Sequence, residues 1–131
     1  MAGEKAAFLR NPTFWAVLVV VWAAVLYYLS SQSNLHVGPD IPQMDKVKHA
    51  VYFMGGATML FLALRLRSSP HGLGTCLVAI VVFAAVIGAL DEFHQSFTPG
   101  RSGNDVWDWL ADVTGGLLAT RLGPRVLAWL Q

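Results

Sequence analysis

Long apolar blocks separated by short polar segments dominate the chain. No Asp, Glu, Lys or Arg lies between positions 11 and 39, and an apolar core of 16 residues runs from Phe14 to Leu29. Two further apolar blocks follow, each closed by polar residues. Because about 20 helical residues cross a bilayer, the pattern predicts three membrane spans, at about 13–33, 46–66 and 73–93.

A fourth and weaker block, at about 105–122, is predicted to be a span because of its helical geometry. Asp105, Asp108 and Asp112 stand at positions i, i+3 and i+7, within one arc of a helix. Small residues continue that arc, and apolar residues occupy the opposite side: Gly115, Gly116 and Ala119, against Val106, Trp107, Leu110, Leu117 and Leu118. Small residues allow close helix packing in membranes, so the acidic face is predicted to face the other helices.

Composition agrees with a membrane class. Hydrophobic residues make up 55% of the 131 residues and charged residues only 13%, whereas soluble domains carry about 25% charged residues. The predicted fold is therefore all-α: a polytopic four-helix membrane bundle forming a single domain over 1–131. The one cysteine, Cys76, lies in an apolar run, which excludes a disulfide framework and indicates a packing role. No basic patch indicates binding to nucleic acid.

The first block could also be a cleaved signal peptide, since Lys5 and Arg10 precede it and serines follow it. The apolar region of a signal peptide commonly has about 7–15 residues, so we favour a retained span.

Basic residues are distributed unequally between the two sides of the predicted bundle. Six lie on one side and three on the other: Lys5, Arg10, Arg65, Arg67, Arg121 and Arg125, against Lys46, Lys48 and Arg101. Because cytoplasmic loops are enriched in Lys and Arg, both termini are predicted to be cytoplasmic.

The outward side holds seven of the eight acidic residues: Asp40, Asp45, Asp91, Glu92, Asp105, Asp108 and Asp112. Carboxylates in or beside spans are costly, and they usually face a bundle interior where they have a function. Asp105 could instead cap the fourth helix, Asp108 could interact with its dipole, and Asp45 could cap the second helix. Capping does not explain Asp112, which lies about 10 Å deeper than Asp105. Asp112 is predicted to be protonated or paired with His49 or Arg101.

The second and third spans contribute further polar residues. Asp45 and His49 share one face of the second helix with Tyr52, Gly56 and Ala63. On the third helix, Asp91, His94 and Gln95 are predicted to share a face, with Glu92 turned aside. Sets of Asp, Glu and His suit Mg²⁺, Mn²⁺ or Zn²⁺, although the spacing specifies no metal.

An Asp–His pair could equally perform acid–base chemistry. Arg101 could bind an anion or pair with an acid of the cluster.

Four motifs occur in order over 45–116. They are Asp45-Lys46-x-x-His49, Asp91-Glu92-x-x-Gln95, Gly100-Arg101 and Asp108-x-x-x-Asp112-x-x-Gly115. This order and spacing resemble the VanZ-like family of small bacterial membrane proteins, whose founding member is associated with teicoplanin resistance. The resemblance implies a multi-pass inner-membrane protein, usually of unknown molecular activity. Asp112 departs from the family, which commonly has Asn at this position.

The sequence therefore predicts an outward-facing polar pocket, and the resemblance implies that it lies in the bacterial inner membrane. Its predicted residues are Asp45, His49, Asp91, Glu92, Gln95, Asp108 and Asp112, with Lys46 and Arg101 as ligand-binding residues. Its expected ligand is a lipid head group or a lipid-linked cell-wall intermediate. The alternatives are a carrier of protons or small cations, and a structural or partner-binding membrane subunit. The sequence does not show whether the protein is an enzyme or which cofactor it uses. A divalent cation is compatible with its residues.

Overall fold

The computed structural model describes residues 7–33, 38 and 41–131, and over these ranges it contains helices and no strand. The four long helices are α1 (Pro12–Ser30), α2 (Met44–Arg65), α3 (Leu73–Gln95) and α4 (Val106–Leu130). The all-α prediction is thus confirmed. Of the described helices, α1, α2 and α3 are long and apolar enough to cross a membrane. Asp40 and Lys5 lie outside the described residues.

The helix boundaries differ from the predicted ones mainly at two places. The first helix ends at Ser30 rather than near position 33, and α4 continues beyond 122 to Leu130. Gly123 and Pro124 do not end α4, although proline lacks the N–H of a regular helical bond. The last two turns persist because Leu127 and Leu130 are buried in the core, where they pack with Phe61 of α2.

Residues at the helix starts explain where α1 and α4 begin. The side chain of Asn11 accepts a hydrogen bond from the Thr13 N–H at 2.9 Å, and Asp105 accepts one from the Trp107 N–H at 2.8 Å. The capping role proposed for Asp105 is confirmed. The one proposed for Asp45 is wrong, because Gln43 occupies the N-cap position of α2 and Asp45 is exposed in the first turn.

Helix α4 packs closely against α2 and α3 through its small residues. A Cβ atom on Gly115 would collide with the backbone of Ala50 and Met54, and one on Gly116 would lie 2.6 Å from Cβ of Ala84. The other side of α4 is exposed and apolar: Val106, Trp107, Leu110, Leu117, Leu118 and Trp129. Both faces of α4 therefore match the sequence prediction. Cys76 is fully buried in the core, as its packing role requires.

Contacts between the helices fix their relative directions. Trp22 and Tyr52 exchange hydrogen bonds, with the Trp22 indole donating to the Tyr52 carbonyl and the Tyr52 hydroxyl to the Trp22 carbonyl. Helix α4 runs parallel to α2, since the start of α4 contacts Lys46 and Gly123 contacts Phe61. It runs antiparallel to α3. The starts of α2 and α4 and the ends of α1 and α3 thus meet at one end of the molecule, here called the acidic end.

The opposite end, here called the basic end, carries most of the arginines: Arg10, Arg65, Arg67, Arg121 and Arg125. Arg10 donates hydrogen bonds to the carbonyl oxygens of Leu130, at 2.6 Å, and Gln131, at 3.1 Å. The beginning of α1 and the end of α4 therefore lie together at this end.

Candidate functional site

An ion-pair cluster at the acidic end joins the first turns of α2 and α4. The ammonium of Lys46 lies 2.9 Å from Asp45, 3.1 Å from Asp105 and 2.6 Å from Asp108. The hydrogen bond from Lys46 lowers the pKa of Asp105 below its ordinary value of 3.8. Lys46, which the sequence suggested as a ligand-binding residue, already has three carboxylate partners. Asp108 is the buried member of this cluster.

Deeper in the bundle, His49 pairs with Asp112, which is one of the alternatives that the sequence predicted. Nδ1 of His49 lies 2.8 Å from Oδ1 of Asp112, whose side chain is fully buried. The second oxygen, Oδ2, has no hydrogen-bond partner in the described structure. A Cβ atom on Gly88 would lie 2.7 Å from Oδ2, so the carboxylate fits against α3 where that helix has no side chain.

Glu92 is buried and, as predicted, is directed away from the face that carries Asp91 and Gln95, toward the start of α4. Its Oε2 accepts a hydrogen bond from the Asp105 N–H at 2.8 Å, whereas Oε1 has no partner among the described residues. Helix α3 packs against both α1 and α4, so the side chains of Asp91 and Glu92 each meet a neighbouring helix or the loop beside it. The polar residues at the end of α3 therefore lie on two faces of the helix.

A hydrogen-bonded series extends from α1 to the loop between α3 and α4. Asp91 accepts hydrogen bonds from the Ser30 hydroxyl and from the Gln95 amide, the latter at 2.7 Å. Arg101 in turn donates to Oε1 of Gln95 at 2.8 Å. The proposed pairing of Arg101 with an acid is thus not seen, because the neutral amide of Gln95 separates its guanidinium from Asp91. The sequence gave no indication that Ser30 would take part in this site.

A tight turn orients Arg101. The Arg101 N–H donates to the carbonyl of Thr98 at 3.1 Å, with Pro99 and Gly100 between them. Gly100 has a φ of 79°, a conformation that favours glycine at the third position of such a turn. His94, in contrast, leaves the site and stacks on Tyr27, with ring centroids 4.4 Å apart.

A cavity of about 720 Å³ opens between α1, α2, α3 and this turn. Six of the predicted site residues line it: Asp45, His49, Asp91, Gln95, Arg101 and Asp108. Glu92 and Asp112 are not among its lining residues. Lys48 also lines the cavity, and the sequence gave it no role because a lysine in a first helical turn is usually solvated.

The cavity has polar and apolar walls. Hydroxyl, imidazole and cationic groups come from Ser30, Ser102, His49, Lys48 and Arg101. The apolar wall comes from α1 and α2: Leu26, Leu29, Val47, Val51 and Phe53. The site can therefore contact a charged group and a hydrocarbon chain at the same time.

Three residues at the acidic end could hold a metal ion. His49, Glu92 and Asp112 each offer one ligand atom, and these three atoms lie within 4.8 Å of one another. They come from three different helices, so the fold rather than a local motif brings them together. One imidazole and two carboxylates could bind a cation or exchange a proton.

An all-helical chain with three apolar helices and buried carboxylates at one end belongs to the class of helical membrane proteins. The chain is a member of the VanZ/LLP1 family, whose model matches residues 13–127. The resemblance inferred from the four motifs is thereby confirmed. None of the curated proteins and none of the solved structures compared with the chain matches it.

Proposed function

We propose that this protein binds an amphiphilic lipid of the cell envelope in the cavity at its acidic end. The ligand is the head group of a membrane lipid or of a lipid-linked cell-wall intermediate. The observation that carries the proposal is the two-sided lining of the cavity, with Arg101 and Lys48 on its polar side and Leu29 and Val51 on its apolar side.

Each wall matches one part of such a ligand. A guanidinium binds a phosphate or carboxylate through two parallel hydrogen bonds, and a lysine adds a point charge. Val47 and Val51 are more than half exposed and lie on the side of α2 that lines the cavity, where an acyl or prenyl chain would cover them. Asp45 and Asp108 can accept hydrogen bonds from hydroxyl or amino groups of the head group.

The proposal places four helices across the bacterial inner membrane with both termini in the cytoplasm. Support for α4 as the fourth span comes from its 25 residues, its packing along α2 and its exposed apolar side. Its direction, parallel to α2 and antiparallel to α3, is the one that a fourth consecutive crossing requires. The clustering of arginines at the basic end supports a cytoplasmic location for that end.

Mass spectrometry of lipids that co-purify with the protein tests the proposal. The double variant Arg101→Gln and Lys48→Gln should lose at least tenfold of the anionic lipid retained by the wild type, because both cations of the cavity are removed. Arg67→Gln with Arg125→Gln is the matched control, since it removes two charges at the basic end.

Equal retention of anionic lipid by both double variants and the wild type would contradict binding in this cavity. Loss in the control alone would assign the lipid to the basic end. If the retained lipid is a cell-wall intermediate, a role in glycopeptide resistance follows, and deletion of the gene should change teicoplanin susceptibility.

A carrier of protons or small cations is the second candidate, favoured by the unpartnered oxygens of Glu92 and Asp112. Such a carrier also needs polar groups along the rest of its path. Between these residues and the basic end, the described parts of the helices contain no further carboxylate. Cation flux into liposomes that contain the protein, abolished by Asp112→Leu, would favour the carrier over the lipid-binding function.

A further inference from the structure

We propose that His49, Glu92 and Asp112 bind one divalent transition-metal cation with the ligand preference of Zn²⁺, beside the cavity at the acidic end. The proposal does not depend on lipid binding, because Glu92 and Asp112 are not among the residues that line the cavity. It rests on the position of the three side chains, on two unpartnered buried oxygens and on the balance of charge around them.

The three side chains converge from α2, α3 and α4, with one ligand atom of each within 4.8 Å of the others. Gly88 and Glu92 are four residues apart on α3 and so share a face of that helix. Oδ2 of Asp112 lies against Gly88 and is therefore directed toward the face that carries Glu92. The absence of a side chain at Gly88 leaves the space that this carboxylate occupies.

Two carboxylate oxygens at this point have no partner in the part of the chain that the structure describes. Oε1 of Glu92 and Oδ2 of Asp112 are both buried, on side chains whose residues are 3% and 0% exposed. Burying a polar atom without a partner costs free energy. Most buried polar atoms in native proteins are therefore bound to protein, water or an ion. A cation bound between the two side chains would supply the partner that these oxygens lack.

The surrounding charges leave this site short of positive charge. Asp91, Glu92 and Asp112 are all buried at the acidic end. The ammonium of Lys46 contacts Asp45, Asp105 and Asp108 instead, and Arg101 donates to the Gln95 amide. Of the described basic side chains, only His49 pairs with one of these three carboxylates, Asp112, and it carries at most one positive charge.

The donor set indicates the class of metal. Imidazole favours Zn²⁺ and neighbouring transition metals over Mg²⁺ and Ca²⁺, which prefer oxygen ligands alone. Three protein ligands with a remaining open position are typical of zinc sites that bind water or a further ligand. His49 also lines the cavity, so a bound cation would be close to whatever occupies it.

Calorimetric titration of ZnCl₂ into purified, chelator-treated protein in detergent tests the site. The wild type should bind one equivalent of Zn²⁺, and His49→Gln or Asp112→Asn should weaken binding at least tenfold, since each removes a ligand. His94→Gln is the matched control, because His94 lies near the same end but stacks on Tyr27 outside the site. It should bind zinc as the wild type does.

Failure of the wild type to bind zinc would overturn the proposal, as would equal affinity in wild type, His49→Gln and Asp112→Asn. If the ligand variants do not fold, the wild type remains informative: Zn²⁺ should raise its melting temperature, and no rise would contradict the site. Arg101→Gln with Lys48→Gln should keep zinc binding, so failure of the lipid proposal and failure of the zinc proposal give different results.

Discussion

The hydrogen bond between His49 and Asp112 gives the two oxygens of one carboxylate different surroundings. Asp112→Asn should leave folding nearly unchanged, because an amide oxygen can accept the same bond from the imidazole at 2.8 Å. Asp112→Leu should destabilise the protein by about 1–3 kcal/mol, since the half-buried imidazole of His49 loses its hydrogen-bond partner. Thermal unfolding in detergent compares the two variants. If Asp112→Leu and Asp112→Asn melt at the same temperature, the His49–Asp112 hydrogen bond contributes nothing to folding stability.

Asp105 contributes to stability through Lys46 in a way that depends on pH. Its pKa is lowered in the folded state, so the contribution is present above the ordinary value of 3.8 and is lost as the pH falls through the folded value. Asp105→Asn keeps a capping oxygen but cannot carry charge. Its melting temperature should be below that of the wild type at pH 7, and the difference should shrink as the pH falls from 3.8 through the lower pKa of the folded state. A difference that stayed constant across this range would contradict the ion pair.

Among the helices, the contact of α4 with α2 depends most directly on a glycine. Gly115→Ala should destabilise the protein by about 1–3 kcal/mol, because the added methyl meets the backbone of Ala50 and Met54, which cannot rotate away. Gly55→Ala on α2 is the matched control, with no atom within 4 Å of the added methyl, and should be neutral or slightly stabilising. Similar melting temperatures for the two variants would contradict the close approach of α4 to α2.

The sequence correctly predicted features that depend on a single helix. It did not predict those that depend on the packing of two helices. The i, i+3, i+7 spacing predicted which side of α4 carries Asp112, since helical geometry alone determines it. The contact of Glu92 with the Asp105 N–H could not be predicted from α3 alone, because it depends on the position of the loop before α4. Ser30 was missed because it meets Asp91 across 61 positions of sequence. The continuation of α4 past Pro124 likewise depends on packing with α2.

For the whole molecule, the main prediction is that both termini are cytoplasmic. Cys76 is buried without a second thiol in the described structure, so Cys76→Ala should be expressed and folded and can serve as a cysteine-free background. In that background, Ser33→Cys at the acidic end should react with an impermeant maleimide in intact cells. Ser69→Cys and Gln131→Cys should react only after the membrane is opened.

The label at Gln131 separates four spans from three. If α4 did not cross the membrane, Gln131→Cys would react in intact cells together with Ser33→Cys. Reaction of Ser69→Cys in intact cells would reverse the whole orientation and place the cavity in the cytoplasm. Lysed cells serve as the control, because all three exposed positions should react with the maleimide there.

If α4 crosses the membrane as proposed, its two exposed tryptophans also predict the thickness of the bilayer that fits the protein. Trp107 and Trp129 are 67% and 78% exposed and stand 22 residues apart, a rise of about 33 Å along a straight helix. Tryptophan prefers the boundary between hydrocarbon and head groups, and a typical hydrocarbon core is about 30 Å thick. The protein should therefore match a bilayer of ordinary thickness, and it should tilt or cluster when reconstituted in lipids with markedly shorter chains.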